Sequence, residues 1–300
     1  MTPKVKRDFL RVADLGADEL RQILEHAKAM KNQRRHGASR RPLEGRSVAL
    51  IFEKPSTRTR VSFEVGAFEL GAHPVVLNTR DMQLGRGESI GDTARTLSRY
   101  VHAIVLRTAA HERIEALAAA ATVPVINALT DDHHPCQILA DLMTVRERKG
   151  ALEGLRYAWI GDANNVARSW VEAAGGLGLT LTVASPEGYG FLSAELPPGV
   201  QQVVDPREAA RGADVVITDV WASMGQEGDA AARHAAFAGY QVDAALMGEA
   251  NPNPLLLHCL PAHRGEEVEA ALIDDPGAAV WDEAENRLHA QKALLEFLMR

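Results

Sequence analysis

The run Phe52-Glu53-Lys54-Pro55-Ser56-Thr57-Arg58-Thr59-Arg60 concentrates hydroxyls, backbone amides and two guanidinium groups in nine residues. The apolar, β-rich stretch 47–52 reads as a buried strand. From Val61 the apolar residues switch to helical spacing, Val61, Val65 and Phe68 on one side and Phe63, Ala67 and Leu70 beside them. Ser56, Thr57 and Thr59 then fall at a helix N-terminus, where open backbone N–H groups and the helix dipole favour negative charge. Arg58 and Arg60 add planar forks that match a phosphate group with paired hydrogen bonds. A small phosphorylated ligand is one reading of this turn; ordinary N-capping with solvent-facing arginines is the other.

Further reactive residue types stand at other element ends. A strand over 103–106 runs into Arg107. In open α/β sheets ligands bind beyond the carboxyl ends of the strands, so Arg107 either joins the anion turn in one crevice or is a surface arginine. A strand over 123–127 precedes Asp131-Asp132-His133-His134-Pro135-Cys136-Gln137. Pro135 suits the first position of a helix running to Lys149, which puts His134 at its N-cap and Gln137 in its first turn. A neutral His134 donating to a carbonyl oxygen explains these neighbours better than a metal site on Asp131, His133 and His134, because helical metal ligands are spaced by three or four residues. Gly161-Asp162-Ala163-Asn164-Asn165 follows a strand over 155–160 but lacks the Gly-x-Gly-x-x-Gly turn of a dinucleotide site. Its carboxylate and amides suit the ammonium and carboxylate of an amino acid. A strand over 214–218 ends on Asp219, and one over 255–257 ends on His258-Cys259-Leu260-Pro261.

The elements that must hold these groups alternate along the chain. A helix over 18–30 carries Leu20, Ile23, Leu24 and Ala27 at helical spacing, and the basic stretch 31–41 reads as an exposed connection. A strand over 74–77 leads to the glycine-punctuated segment 81–88, either a solvent-exposed turn or a loop reaching a neighbouring subunit. A helix over 89–99 follows, Gly150 suits a helix C-cap, a strand covers 179–183, and 188–199 reads as loop. The last helix, 285–299, carries Leu288, Leu295 and Leu298. Such alternation is the mark of an α/β chain, and 300 residues suit two modest domains or one large one.

Composition narrows the function classes. With 46% hydrophobic and 24% charged residues the chain is an ordinary globular one, and a net charge of -7 argues against a nucleic-acid partner. No stretch approaches the ~20 apolar residues of a membrane span, nor does the N-terminus carry a signal-type core, so the cytoplasm is expected. The only two cysteines, Cys136 and Cys259, exclude a disulfide framework. Each is either a small buried hydrophobe or a working thiol.

Pro55 to Arg60, His134-Pro135-Cys136-Gln137, Asp219-Val220-Trp221-Ala222-Ser223-Met224-Gly225 and His258-Cys259-Leu260-Pro261 stand in an order and spacing that resembles the ornithine carbamoyltransferases, within the aspartate/ornithine carbamoyltransferase superfamily. The resemblance runs through essentially the whole chain. Aspartate carbamoyltransferases share the first motif but typically carry His-Pro-Thr-Gln at the second and lack the Ser-Met-Gly loop and the cysteine. The resemblance implies an α/β fold of two doubly wound parallel-sheet domains joined by helices, with the C-terminal helix returning to the first. A carbamoyl phosphate-binding domain over 1–133 with helix 285–300, a connecting helix over 134–150 and an ornithine-binding domain over 151–284 follow from it.

It further implies that Ser56, Thr57, Arg58, Thr59 and Arg107 bind the phosphate of carbamoyl phosphate and that His134 and Gln137 bind its carbamoyl group. Arg287 is a further contact, and Gln83 is supplied by a neighbouring subunit of a homotrimer or multiple of trimers. Asn165, Asp219, Ser223 and Met224 hold L-ornithine, with Cys259 and Leu260 beside the reacting amine. The implied reaction gives citrulline in a step of arginine metabolism, with Cys259, Asp219, Arg107 and His134 as its catalytic groups and no metal or organic cofactor. In such a reaction Asp219 and Cys259 orient the amine, and Cys259 helps to accept its proton. The competing readings are a carbamoyltransferase for aspartate, putrescine or N-acetylornithine, a non-catalytic amino-acid or phosphate-binding protein, and a nucleotide-dependent dehydrogenase, against which the missing glycine turn counts.

Overall fold

A computed structural model describes residues 6–37, 40–78, 82–83, 87–222, 227–275 and 278–300. The first half lays down α1 (Ala17–Arg35), β1 (Ser47–Phe52), α2 (Thr57–Glu69), β2 (His73–Asn78), α3 (Ile90–Leu97), β3 (Ala103–Arg107), α4 (His111–Ala120), β4 (Val125–Leu129) and α5 (Pro135–Lys149). Val48 to Ile51 and Ala103 to Leu106 are fully buried, so β1 and β3 read as unbroken apolar runs of the kind a parallel sheet covered on both faces requires. The sheet order is β2-β1-β3-β4, all parallel, with Phe52 in register with Arg107. Because β2 and β3 lie on opposite sides of β1, the direction of winding reverses between β1 and β3, and the carboxyl ends of these two strands open a crevice.

The second half repeats the plan with β5 (Arg156–Ile160), α6 (Asn165–Leu177), β6 (Thr180–Ala184), β7 (Val200–Val203), α7 (Pro206–Ala210), β8 (Val215–Thr218), α8 (Ala230–Ala236), α9 (Ala244–Met247), β9 (Leu255–His258), α10 (Ala270–Asp274) and α11 (Val280–Met299). Its parallel sheet has the order β7-β6-β5-β8-β9, so winding reverses between β5 and β8. The chain divides into two compact units: one runs to Ala140 and resumes over Asn286–Arg300, and the other is Asp141–Glu285. The C-terminal helix thus returns to the first unit, and the fold is that of two doubly wound α/β domains. No described helix is long and apolar enough to cross a membrane.

Several local expectations change. Helix α1 runs on to Arg35, and Lys31, expected in an exposed connection, is buried with its Nζ donating to Asn286 Oδ1 at 2.7 Å. On α2 the buried face is Thr59, Phe63, Gly66 and Ala67, while Val61 and Phe68 are exposed. Close approach explains the choice, since a Cβ on Gly66 would stand 3.1 Å from Lys292 Cγ. Strand β4 is shifted two residues toward the C-terminus, β7 emerges after the expected loop, and α11 begins at Val280.

Candidate active site

In the first unit, the turn after β1 is fixed from both sides. Glu53 N donates to Arg107 O at 2.9 Å, and the Glu53 carboxylate accepts from Thr108 Oγ1 and from Arg113 Nε, the latter at 2.9 Å. Lys54 Nζ pairs with Asp131 Oδ1 at 2.8 Å. Ser56 follows as the extended N-cap of α2, and its side chain makes no capping bond among the described residues. The helix therefore presents first-turn amides and their dipole without a local oxygen closing them off. Thr59 is buried in that turn, with Thr57 and Arg58 exposed beside it.

Arg107 is buried at the end of β3, which removes the surface-arginine reading. Arg287 of α11 is buried too: its Nη2 donates to Thr59 Oγ1 at 3.1 Å and its Nη1 to Gln137 Oε1. Gln137 lies in the first turn of α5, whose first residue is Pro135, and Gln137 N donates to His134 O at 3.1 Å. A short turn delivers His134: Thr130 N donates to His133 O at 2.9 Å, His133 N donates to Thr130 Oγ1 at 3.2 Å, and Asn127 Nδ2 holds Leu10 O at 2.8 Å. Burial, then Arg287, Arg107 and Arg58, hold the His134 ring well below its ordinary pKa, so it is neutral and a donor or acceptor instead of a cation. Cys136 is fully buried, its thiol pushed up to about 12 by burial and donating to Asn127 O at 3.3 Å; it is a packing residue. Gln83 is exposed, and its carbonyl accepts from Glu88 N at 3.2 Å.

In the second unit the strand ends again carry the polar groups. Gly161 follows β5 directly at φ 140°, a backbone that residues with a side chain rarely adopt, and it turns the chain beside Asp219 O, 3.8 Å from its Cβ position. Asn164 caps α6, its Oδ1 accepting from Val166 N at 2.9 Å and Ala167 N at 3.1 Å, and its Nδ2 donates to Asp219 Oδ2 at 2.8 Å. Cys259 Sγ donates to the other oxygen, Asp219 Oδ1, at 3.1 Å. Burial first, and then the negative charges of Asp219, Glu283 and Asp141, push the Cys259 thiol well above its ordinary value. A thiolate next to a carboxylate is disfavoured and the thiol spends its proton on Asp219, which weighs against the expected role of Cys259 as a proton acceptor.

The loop after β9 has its own support. Leu260 N donates to His258 Nδ1 at 2.9 Å, so the ring proton belongs on Nε2, which faces Glu267 Oε1 at 3.0 Å. Glu283 Oε2 accepts from His258 N at 2.9 Å. Leu260 itself is partly buried with φ 59°. Asn165 opens α6 beside Asn164, while Ser223 and Met224 lie outside the described residues. Arg233 of α8 joins Asp162 Oδ2 and Trp221 O, both at 2.8 Å, and burial raises the Asp162 carboxyl.

Sequence reasoning missed Glu267, Glu283 and Thr130. A lone glutamate reads as solvated, and no local pattern marks one that is buried under a histidine nine positions away. Asn164 carried a usable signal, as an asparagine ahead of a helical apolar pattern.

The family described as aspartate/ornithine carbamoyltransferase, carbamoyl-P binding domain, matches residues 7–147, and the one described as aspartate/ornithine carbamoyltransferase, Asp/Orn binding domain, matches 153–298. The chain is 53% identical over 296 residues to the ornithine carbamoyltransferase of Halorhodospira halophila, covering 98% of this chain and 99% of that one. It is 55% identical over 304 residues to that of Acidothermus cellulolyticus, covering 98% and 96%. The solved ornithine carbamoyltransferase of Pyrococcus furiosus superposes with a TM-score of 0.92 at 50% identity, over 97% of this chain and 96% of that one.

Proposed function

Since this chain belongs to the aspartate/ornithine carbamoyltransferase family, we propose that it transfers the carbamoyl group of carbamoyl phosphate to the δ-amine of L-ornithine, giving L-citrulline and phosphate. The observation that carries this reading is the gathering of Arg58, Arg107 and Arg287 around an uncharged His134. That set suits an acyl phosphate, which carries a polar carbonyl group beside its phosphate, better than it suits phosphate alone. The first domain, 1–133 with 285–300, takes carbamoyl phosphate through Ser56, Thr57, Arg58, Thr59, Arg107, His134, Gln137 and Arg287. Helix 134–150 connects it to an ornithine-binding domain over 151–284, in which Asn165, Asp219, Ser223, Met224, Cys259 and Leu260 receive the amino acid.

The δ-ammonium of ornithine has no lone pair and a free pKa near that of lysine, ~10.4, so it must lose a proton before it attacks. Asp219, with Asn164 on one oxygen and the Cys259 thiol on the other, orients the amine and does not remove that proton. The amine nitrogen bonds to the carbamoyl carbon and a tetrahedral oxyanion forms. With the first proton of the ammonium gone to solvent, Arg107 and a donor N–H of His134 stabilise that oxygen. The carbon–oxygen bond to phosphate breaks as the carbonyl re-forms, Arg58 and Arg287 neutralise the departing charge, and the departing phosphate takes the second proton from the nitrogen.

Gln83 completes the phosphate site from a neighbouring copy in a homotrimer or multiple of trimers. The exposed Val61 and Phe68 of α2 support a subunit contact, and sedimentation equilibrium measures its stoichiometry. The expected compartment of the enzyme is the cytoplasm; no described helix is long and apolar enough to cross a membrane. Citrulline enters arginine metabolism.

The deciding experiment supplies carbamoyl phosphate with ornithine, aspartate, putrescine or N-acetylornithine and measures phosphate and carbamoylated product. Turnover with ornithine alone is expected, and a preference for another amine would overturn the second substrate. Arg58→Gly is expected to lower kcat/KM by about a hundredfold or more with the melting temperature retained, since Arg58 is an exposed side chain at a helix start. Parent-like turnover would remove Arg58 from the site.

A further inference from the structure

The turn that follows the Cys259 loop gathers metal-ligand side chains for which carbamoyl transfer has no use. One donor atom each of His263, Glu266 and Glu267 lie within 4.8 Å of one another. His263 Nδ1 is 3.6 Å from Glu266 Oε2 and 3.9 Å from Glu267 Oε2. A further donor comes from α8, where His234 Nε2 is 3.5 Å from the same Glu266 oxygen. Nitrogen and oxygen donors placed ~2.0–2.2 Å from a tetrahedral ion stand roughly 3.3–3.6 Å apart. The edges of 3.5, 3.6 and 3.9 Å are near that, whereas His234 lies outside the set of donors within 4.8 Å of one another, and its exposed ring must move toward His263 and Glu267 to complete the site.

Exposed histidine–glutamate pairs are common and weak, and alone would carry nothing. Glu267 makes the difference. It is fully buried, and its Oε2 accepts no hydrogen bond among the described residues. A buried carboxylate oxygen without a donor is costly, and a cation on that oxygen relieves the cost. The other carboxylate oxygen, Oε1, is already committed, to His258 Nε2 at 3.0 Å and His263 N at 2.7 Å, and this fixes the direction in which Oε2 points. The backbone sets the spacing of the turn, with Glu266 N donating to His263 O at 2.9 Å and Gly265 N to Val268 O at 2.8 Å. The His234 ring is held edge-on to Trp221, with centroids 5.8 Å apart.

We propose that His234, His263, Glu266 and Glu267 form a binding site for a divalent transition-metal ion of the zinc class. Two imidazoles select against magnesium and calcium, which take oxygen ligands, and two carboxylates balance the charge of the ion. The site carries no step of carbamoyl transfer.

The test must separate this site from Asp219, His258 and Cys259, whose donor atoms also lie within 4.8 Å of one another. The whole untagged chain is titrated with Zn2+ by calorimetry and with Co2+ by absorption, because thiolate ligation of Co2+ adds an intense near-ultraviolet charge-transfer band that nitrogen and oxygen ligands do not. One ion per chain is expected, without a thiolate band and unaffected by Cys259→Ala. His263→Ala and His234→Ala, both at exposed side chains that can be removed without loss of the fold, are each expected to weaken binding by more than ~10-fold. No saturable uptake, uptake that survives the double substitution, or a thiolate band lost in Cys259→Ala would each overturn the assignment.

Discussion

His134 and Cys259 are both held in their neutral forms, and each makes a measurable demand. The folded chain keeps the His134 ring unprotonated, whereas in the unfolded chain it takes a proton near pH 6.5. Below that pH the unfolded state binds the extra proton, so stability falls as pH drops through about 6.5, by at most ~1.4 kcal/mol per pH unit from this group. Denaturant unfolding at pH 7.5 and 5.5 is expected to show a shallower pH dependence in His134→Gln than in the parent; equal slopes would mean that the ring titrates normally. Cys259 has the opposite sense: its folded thiol stays protonated above the pH at which a free cysteine ionises, so its contribution is lost as pH rises past ~8.5. Its alkylation by iodoacetamide at pH 8.5 is accordingly expected to lag behind that of a cysteine peptide, and a matching rate would place a thiolate there. Cys259→Ser is expected to lower turnover more than it weakens carbamoyl phosphate binding, because the thiol orders Asp219 and not the arginine cluster; a loss confined to phosphate-ligand affinity would contradict this.

At the scale of elements, the turn between β6 and β7 gives a sharp test. Gly199 has φ 88°, and a Cβ there would meet Leu179 O at 2.8 Å. Gly199→Ala combines a left-handed backbone, costing ~1–2 kcal/mol, with a backbone clash that no rotamer relieves, and a melt is expected to show a clear loss. A parent-like melt would mean that the turn relaxes freely. This turn also marks where the sequence stopped being legible. β1, β3, β5 and β8 were readable because strands covered on both faces are continuous apolar runs, and Pro135 announced the start of α5. β7 was not, because Gln201 and Gln202 sit exposed at the edge of the sheet and break the apolar pattern. Helices α7, α9 and α10 span only four or five residues, too few for a periodicity to register. Strand-end residues such as Arg107 and Asp219 were legible as candidates from their place at the carboxyl ends of strands, but burial was needed to remove the surface reading of Arg107. Glu267 and Lys31 were not, since the side chains they meet in the fold, His258 and Asn286, are marked by no local sequence pattern.

At the scale of the whole chain, the first unit is not contiguous: it needs Asn286–Arg300, reached only after the entire second unit has been made. That segment brings specific bonds, from Asn286 to Lys31, from Arg287 to Thr59 and Gln137, from Lys292 to Glu69, and from Glu296 to His26. It also brings four large buried apolar side chains, Leu294, Leu295, Leu298 and Met299. At ~1.5–3 kcal/mol apiece these alone rival the ~5–15 kcal/mol by which a domain is stable. Ending the chain at Glu285 would leave Lys31 and Glu69 without these partners and strip the apolar cover together, so the first unit should not survive. Hydrogen exchange read strand by strand is expected to show β1, β3 and β4 losing protection in that truncated chain while β5, β6 and β8 keep theirs. Protection retained across the first sheet would mean that α1 to α5 fold without the returning helix, and that Arg287 is only a contributor to the phosphate site instead of part of the framework that holds Thr59 and Gln137.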